Sequence, residues 1–170
     1  MNSETFDLAL EIVQRLDGRT LATAESITGG AVGAAIASVP GASGVYRGGV
    51  IPYATDLKAS LLDMGPQVMQ NGPVSQEVAA AMAVQAAYLL DADYGLATTG
   101  VAGPHTQNAQ SVGTVFISVF RRGRDGLEVL SKVEALNFSS NHADPVAARG
   151  DIQSQSVLAA LQLLKFALTN

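Results

Sequence analysis

Eight residues, Thr23-Ala24-Glu25-Ser26-Ile27-Thr28-Gly29-Gly30, constrain this chain more than any other stretch. A short β-branched run precedes them and an Ala-rich segment of helical length follows. They therefore read as a strand end, a hydroxyl-bearing turn and a helix N-terminus in immediate succession. The first turn of a helix carries backbone N–H groups without intrahelical acceptors, and the helix dipole adds positive character there. Such a junction can hold an anion or an oxyanion. Two readings of Ser26 and Thr28 stand side by side: reactive groups, or ordinary N-caps with Gly29 and Gly30 permitting close packing of helix on strand.

The flanking segments say what kind of sheet this junction belongs to. Phe6, Ala9, Leu10, Val13 and Leu16 recur at helical spacing, predicting a covering helix from Ser3 as cap to a stop at Asp17-Gly18. A first strand follows over Thr20 to Ala24, and a helix runs over about Gly30 to Ser38, ended by Pro40-Gly41. Val45 to Ala54 reads as a second strand, at an edge or interrupted, because Pro52 has no N–H for a ladder. Thr55-Asp56 would cap a helix over Leu57 to Leu62, with a turn or short helical piece from Pro66 to Gly72. Val74-Ser75-Gln76-Glu77 caps a longer helix whose Val78, Ala81, Met82, Gln85, Ala86, Leu89 and Leu90 recur at periods of three and four. Tyr94 to Thr99 is a strand that also runs into a hydroxyl-and-glycine loop, Thr98-Thr99-Gly100-Val101-Ala102-Gly103-Pro104. Gly113 to Arg121 and Leu127 to Leu136 pattern as an antiparallel pair around an Arg-Gly turn. Asn137 to Ala148 reads as irregular. A last helix, about Asp151 to Leu168, would bury Val157, Leu158, Leu161, Leu164 and Phe166 or Leu168. Two strands ending in similar loops predict an open α/β sheet with one crevice at the carboxyl ends of its strands.

Size and charge narrow the function classes. A chain of 170 residues suits one domain, 1–170, with a single core. The net charge of −5 argues against nucleic acid as partner, since phosphate contacts need a basic face; the only basic cluster, Arg121, Arg122 and Arg124, falls in a turn. With no cysteine, thiolate metal sites and disulfides are excluded, and a cytoplasmic location is expected. No apolar run approaches the roughly 18 residues of a membrane span. No metal is expected, because His105 and His142 lie in polar loops without ligand spacing around them. The same placement disfavours a Ser-His-Asp triad. Both histidines read as surface residues.

A serine can also be activated by lysine. Of Lys58, Lys132 and Lys165, only Lys58 falls next to a strand end, early in a helix where a cation is disfavoured by the dipole. To act as a base near neutral pH its pKa must fall from about 10.4 to roughly 7 or 8, and burial has the right sign. No Walker or G-x-G-x-x-G signature is present, although Arg47 or Arg149 could hold a phosphate. The residues alone give an α/β domain with a polar, glycine-lined crevice, compatible with a Ser/Lys hydrolase.

In order along the chain, Thr23-Ala24-Glu25-Ser26-x-Thr28-Gly29-Gly30, Pro40-Gly41-Ala42-Ser43, Arg47-Gly48-Gly49-Val50-x-x-Tyr53 with Lys58, Gly72-x-Val74-Ser75-x-Glu77-Val78, Thr99-Gly100-x-Ala102-Gly103-Pro104 and Val112-Gly113-Thr114-Val115 resemble the CinA C-terminal domain family. Its enzymatic members are nicotinamide-mononucleotide deamidases. The resemblance implies a three-layer α/β/α sandwich with a mixed, mostly parallel sheet. It also implies metal-free, cofactor-free hydrolysis of a mononucleotide carboxamide to the acid and ammonia, and assembly as a homo-oligomer. Carried over by position, Ser26 is the nucleophile and Lys58 its base, with Tyr53 and Thr99 orienting the amide or the base. Backbone N–H groups near Gly29, Gly30 and Gly100 would serve the oxyanion. Glu25, Thr28, Arg47, Gly103 and Arg149 complete the expected substrate-binding set, with Thr28 also capping the helix. The chain departs from the family after Phe138, where Ser139-Ser140-Asn141-His142 begins an apparent insertion. Gln153 stands where the family has a second arginine after the one matched by Arg149, and the loop from His105 to Ser111 lacks the usual lysine and proline. These departures motivate an alternative, a catalytically weak or silent nucleotide-binding domain acting through a partner.

Overall fold

The fold is described from a computed structural model, which covers residues 2–123 and 128–169. The elements run α1 (Ser3–Leu16), β1 (Leu21–Glu25), α2 (Ala31–Ala37), a 3-10 turn (Ala42–Gly44), β2 (Tyr46–Val50), α3 (Thr55–Leu61), α4 (Gln76–Leu89), β3 (Tyr94–Gly100), β4 (Thr114–Arg122), β5 (Glu128–Asn137) and α5 (Pro145–Thr169). They form one five-stranded sheet in the order β2-β1-β3-β4-β5. β1 pairs in parallel with both β2 and β3, whereas β3–β4 and β4–β5 are antiparallel. Half the pairings are therefore parallel, which corrects the expectation of a mostly parallel sheet. β2 is an edge strand and ends before Pro52, as a residue without an N–H requires.

Strand alternation creates the three layers. Leu21 in β1 and Leu96 in β3 face α1, α2 and α5, while Ala22, Ala24 and Ala97 face α4. On the α4 side the strand residues are small, and a Cβ at Gly95 would collide with the Ala83 carbonyl. This close approach also sets the α4 face. Ala79, Ala83 and Ala87 are buried with Val78, Met82 and Ala86, whereas Leu89, expected inside, is exposed.

Several boundaries differ from the sequence reading for local reasons. Asn2, not Ser3, caps α1, its Oδ1 accepting from Thr5 N–H at 2.8 Å. α3 begins at Thr55 itself, after Ala54 and without a side-chain cap. α5 begins six residues early, with Asp144 Oδ2 accepting from Ala147 N–H at 2.8 Å. In its last turns Ala167 is buried and Phe166 exposed, with the Lys132 ammonium 3.9 Å from the Phe166 ring centre. Leu158 and Leu168 are only partly buried. Arg124 and the rest of the expected Arg-Gly turn, through Leu127, lie outside the described residues. Among the described residues no helix is long and apolar enough to cross a membrane.

Candidate active site

β1 and β3 are parallel neighbours, so the two hydroxyl-and-glycine loops open side by side at the same edge of the sheet. The ladder reaches one residue past β1, where Ser26 N–H donates to Thr98 O at 2.9 Å. Ser26 is 7% exposed and lines a cavity of about 160 Å³ with Ile27, Tyr53, Lys58, Gly100, Val101, Ala102 and Gly103. His105, Gln107 and Arg149 also line it. A larger groove of about 720 Å³ between α1 and α5 contains none of these strand-end groups.

Adjacent residues of β3 serve opposite faces of the sheet. Thr99, fully buried, faces α3 and α4: its hydroxyl donates to Pro73 O at 2.8 Å and accepts from Lys58 Nζ at 3.0 Å. Lys58 Nζ also donates to Pro73 O at 2.9 Å. Lys58 is 3% exposed, and burial lowers its pKa to about 8. The value falls in the range a general base needs near neutral pH. No hydrogen bond joins Lys58 to Ser26; the two groups share the cavity wall.

Thr98 faces α2. Thr28 Oγ1 donates to Glu25 Oε2 at 2.7 Å, so the 2.7 Å contact between the Thr28 and Thr98 hydroxyls is donated by Thr98. Glu25 Oε2 further accepts from Gly30 N–H and Val32 N–H, each at 3.0 Å, and Glu25 Oε1 accepts from Gly33 N–H at 2.7 Å. The N-terminus of α2 is thus capped by a carboxylate from the preceding strand. This corrects two expectations, that Thr28 is the cap and that the helix end is open to an anion. Glu25 is spent inside the fold, and its 2% exposure fits a structural group. Gly33 is required here, since a Cβ would press on the Tyr46 hydroxyl and Glu25.

The glycine turn is likewise committed. Gly29 N–H donates to Ser26 O at 3.2 Å and Gly30 N–H to Glu25, so neither is left for an oxyanion. Arg47 is remote from the cavity: it is exposed and its Nε donates to Leu90 O at 2.9 Å. Arg149 is at the cavity, because the early start of α5 carries it there. Its Nη1 donates to Gly103 O at 2.7 Å and its Nη2 to Tyr53 Oη at 2.6 Å, tying two loops across the mouth. Gln153, one turn on, donates to Ile27 O at 2.9 Å and so holds the residue after Ser26. The sequence reads His105 as a surface residue and does not single out Gln107; both are exposed, and both line the cavity. Their position directly after Pro104 in the second strand-end loop was the available signal. Among the described residues no group of three or more His, Cys, Asp or Glu is placed to hold a metal.

Comparison with known proteins follows the same lines. A family model described as the CinA C-terminal domain matches residues 5–168. A CinA-like protein of Frankia casuarinae is 49% identical over 116 residues, 68% of this chain and 26% of that protein. One from Thermosipho melanesiensis is 34% identical over 168 residues, 97% of this chain and 38% of that protein. The chain therefore spans well under half the length of these curated relatives. Among solved structures, the competence/damage inducible protein CihA from Agrobacterium tumefaciens superposes with a TM-score of 0.86 at 29% identity, covering 100% of this chain and 98% of that one. A CinA superfamily protein from Escherichia coli superposes with a TM-score of 0.83 at 26% identity, covering 98% and 92%.

Proposed function

We infer the function from one premise: the chain belongs to the CinA C-terminal domain family. From it we propose that the protein is a metal-independent amidohydrolase, converting nicotinamide mononucleotide and water to nicotinate mononucleotide and ammonia by a Ser26/Lys58 mechanism. The observation that carries this reading is a lysine 3% exposed, with a pKa near 8, on the wall of the cavity that Ser26 lines.

A neutral amine has two N–H groups, and those of Lys58 are occupied by Pro73 O and Thr99 Oγ1. Its lone pair is then left for the Ser26 hydroxyl. As Ser26 Oγ bonds to the carboxamide carbon, the hydroxyl proton passes to Lys58 Nζ and the carbonyl π pair moves onto oxygen. Collapse breaks the C–N bond, Lys58 returns the proton to nitrogen, and ammonia leaves. Water then repeats the sequence on the Ser26 ester, with Lys58 again as base, and frees the carboxylate. At about 160 Å³ the cavity is smaller than the roughly 300 Å³ of sites that enclose a drug-sized ligand. It fits the carboxamide ring, with the ribose phosphate at the mouth near Arg149, which has three of its five N–H groups still available.

Ammonia release from a panel of mononucleotide and nucleoside amides tests this. Turnover is expected with a pyridine mononucleotide, lost in Ser26→Ala and Lys58→Ala with the fold retained by circular dichroism. Undiminished turnover in either variant removes that residue from the mechanism. One observation favours a second reading, a silent nucleotide-binding domain: Gln153 supplies no charge and its amide is committed to Ile27 O. Calorimetric binding of the mononucleotide with no ammonia released over hours would support that reading.

A further inference from the structure

With the Gly29 and Gly30 N–H groups committed, the oxyanion needs other donors, and the backbone around Ser26 offers them. Val101 exchanges both its peptide groups with the β4 side: its N–H donates to Thr114 O at 2.9 Å and its C=O accepts from Gly113 N–H at 2.8 Å. Successive residues of an extended strand present their peptide groups to opposite edges, so the N–H groups of Gly100 and Ala102 face the β1 side. There β1 has run out. A continued parallel ladder would offer Ser26 O to Gly100 N–H, but Ser26 O is turned away to accept from Gly29 N–H at 3.2 Å. In a trans peptide the C=O and the next N–H point in opposite directions, so the same turn aims Ile27 N–H away from α2. Gln153 fixes the far side of Ile27 by donating to its carbonyl at 2.9 Å, and Ser26, Ile27, Gly100 and Ala102 all line the one cavity.

We propose that the oxyanion of the tetrahedral intermediate is held by the backbone N–H groups of Ile27 and Ala102, with Gly100 N–H between them. The proposal rests on Ser26 being the nucleophile. These N–H groups accept the electron pair that leaves the carbonyl π bond; they make and break no covalent bond. Gln153 acts as a positioning residue for Ile27, which gives this chain's glutamine a use at the site.

Pyridine-3-boronic acid is the direct probe, since boron adds a serine oxygen to form a stable tetrahedral mimic. A crystal structure of the complex is expected to show a bond to Ser26 Oγ and one boronate oxygen within about 3.1 Å of the Ile27 and Ala102 N–H groups. An adduct whose oxygens meet only solvent, or the Gly29–Gly30 turn, overturns the proposal and leaves the nucleophile standing. No adduct at Ser26 removes both together. In solution, Ala102→Pro deletes one donor and should lower kcat about 100-fold or more with little change in KM, while Ala102→Gly, which keeps the N–H, stays within about tenfold of the parent. A folded Ala102→Pro protein with parental kcat overturns the proposal, and the adduct structure decides it if that variant does not fold.

Discussion

Two buried charges flank Ser26 from opposite faces of the sheet, and they are built differently. Glu25, on the α2 side, receives four hydrogen bonds, three from backbone N–H groups at the head of a helix and one from Thr28. Lys58, on the α4 side, has two neutral oxygen acceptors and no counter-charge among its hydrogen bonds. A carboxylate at a helix N-terminus is stabilised by charge-assisted bonds and the dipole, and Glu25 has both. An ammonium that has lost its water without gaining an anion is the opposite case, and its pKa falls to about 8. The first charge holds the turn in place. The second is held ready to give up its proton.

The largest effect that could break this contrast is on turnover. Replacing Lys58 with Met should lower ammonia release by about 10³-fold or more, as loss of a catalytic base does. The same substitution should stabilise the fold. A pKa drop from 10.5 to about 8 corresponds to about 3 kcal/mol of charge penalty in the native state. The unfolded chain then binds more protons between those two values, so this group's penalty is full below pH 8 and relieved as pH rises toward 10.5. Urea denaturation at pH 7 should show Lys58→Met more stable by about 1–3 kcal/mol, with the gap narrowing toward pH 10; a destabilised variant at pH 7 would mean that Lys58 holds the fold together as Glu25 does.

Glu25→Gln should do the reverse. The amide offers N–H groups where the fold supplies only donors, and we expect a loss of about 2–4 kcal/mol in the same denaturation experiment. A neutral outcome would show that the cap does not depend on charge. Smaller effects separate the neighbouring threonines. Thr99→Val leaves Lys58 with only Pro73 O and should shift the kinetic pKa and reduce kcat about tenfold or more, whereas Thr98→Val should cost about 1 kcal/mol of stability and move the kinetic pKa little. Equal kinetic shifts in the two variants would erase the distinction between the faces. At the small end, Ser118 on the α4 side of β4 buries a hydroxyl without a hydrogen-bond partner, so Ser118→Ala should be neutral or stabilising by up to about 1 kcal/mol in thermal unfolding.

The sheet and its crevice were legible because periodicity and punctuation are local. Tyr94 to Thr99 alternates around glycine and alanine, and Pro52 marks an edge strand before any pairing is known. The antiparallel β4–β5 pair was legible from its strand pattern, whereas the parallel share of the whole sheet was not, since the antiparallel docking of β4 on β3 depends on which edge of β3 is free. At the site, Ser26 and Lys58 stood out as a hydroxyl and a lysine at strand ends, and the cavity does bring them together. The role of Glu25 was hidden because its partners, Gly30, Val32 and Gly33, are backbone groups seen only once α2 folds back over β1. Arg47 misled for a related reason: its motif neighbours are close in sequence, yet its place in β2 points it to the C-terminus of α4. His105 was read as surface, and it is exposed, but it also lines the cavity.

The central claim, that a desolvated Lys58 serves Ser26 as base, is tested most directly by ammonia release from nicotinamide mononucleotide as a function of pH. With Lys58 as base, kcat/KM should rise about tenfold per pH unit and level at about pH 8, with that limb abolished in Lys58→Met. A profile flat from pH 6 to 9, or parental turnover in Lys58→Met, would contradict it.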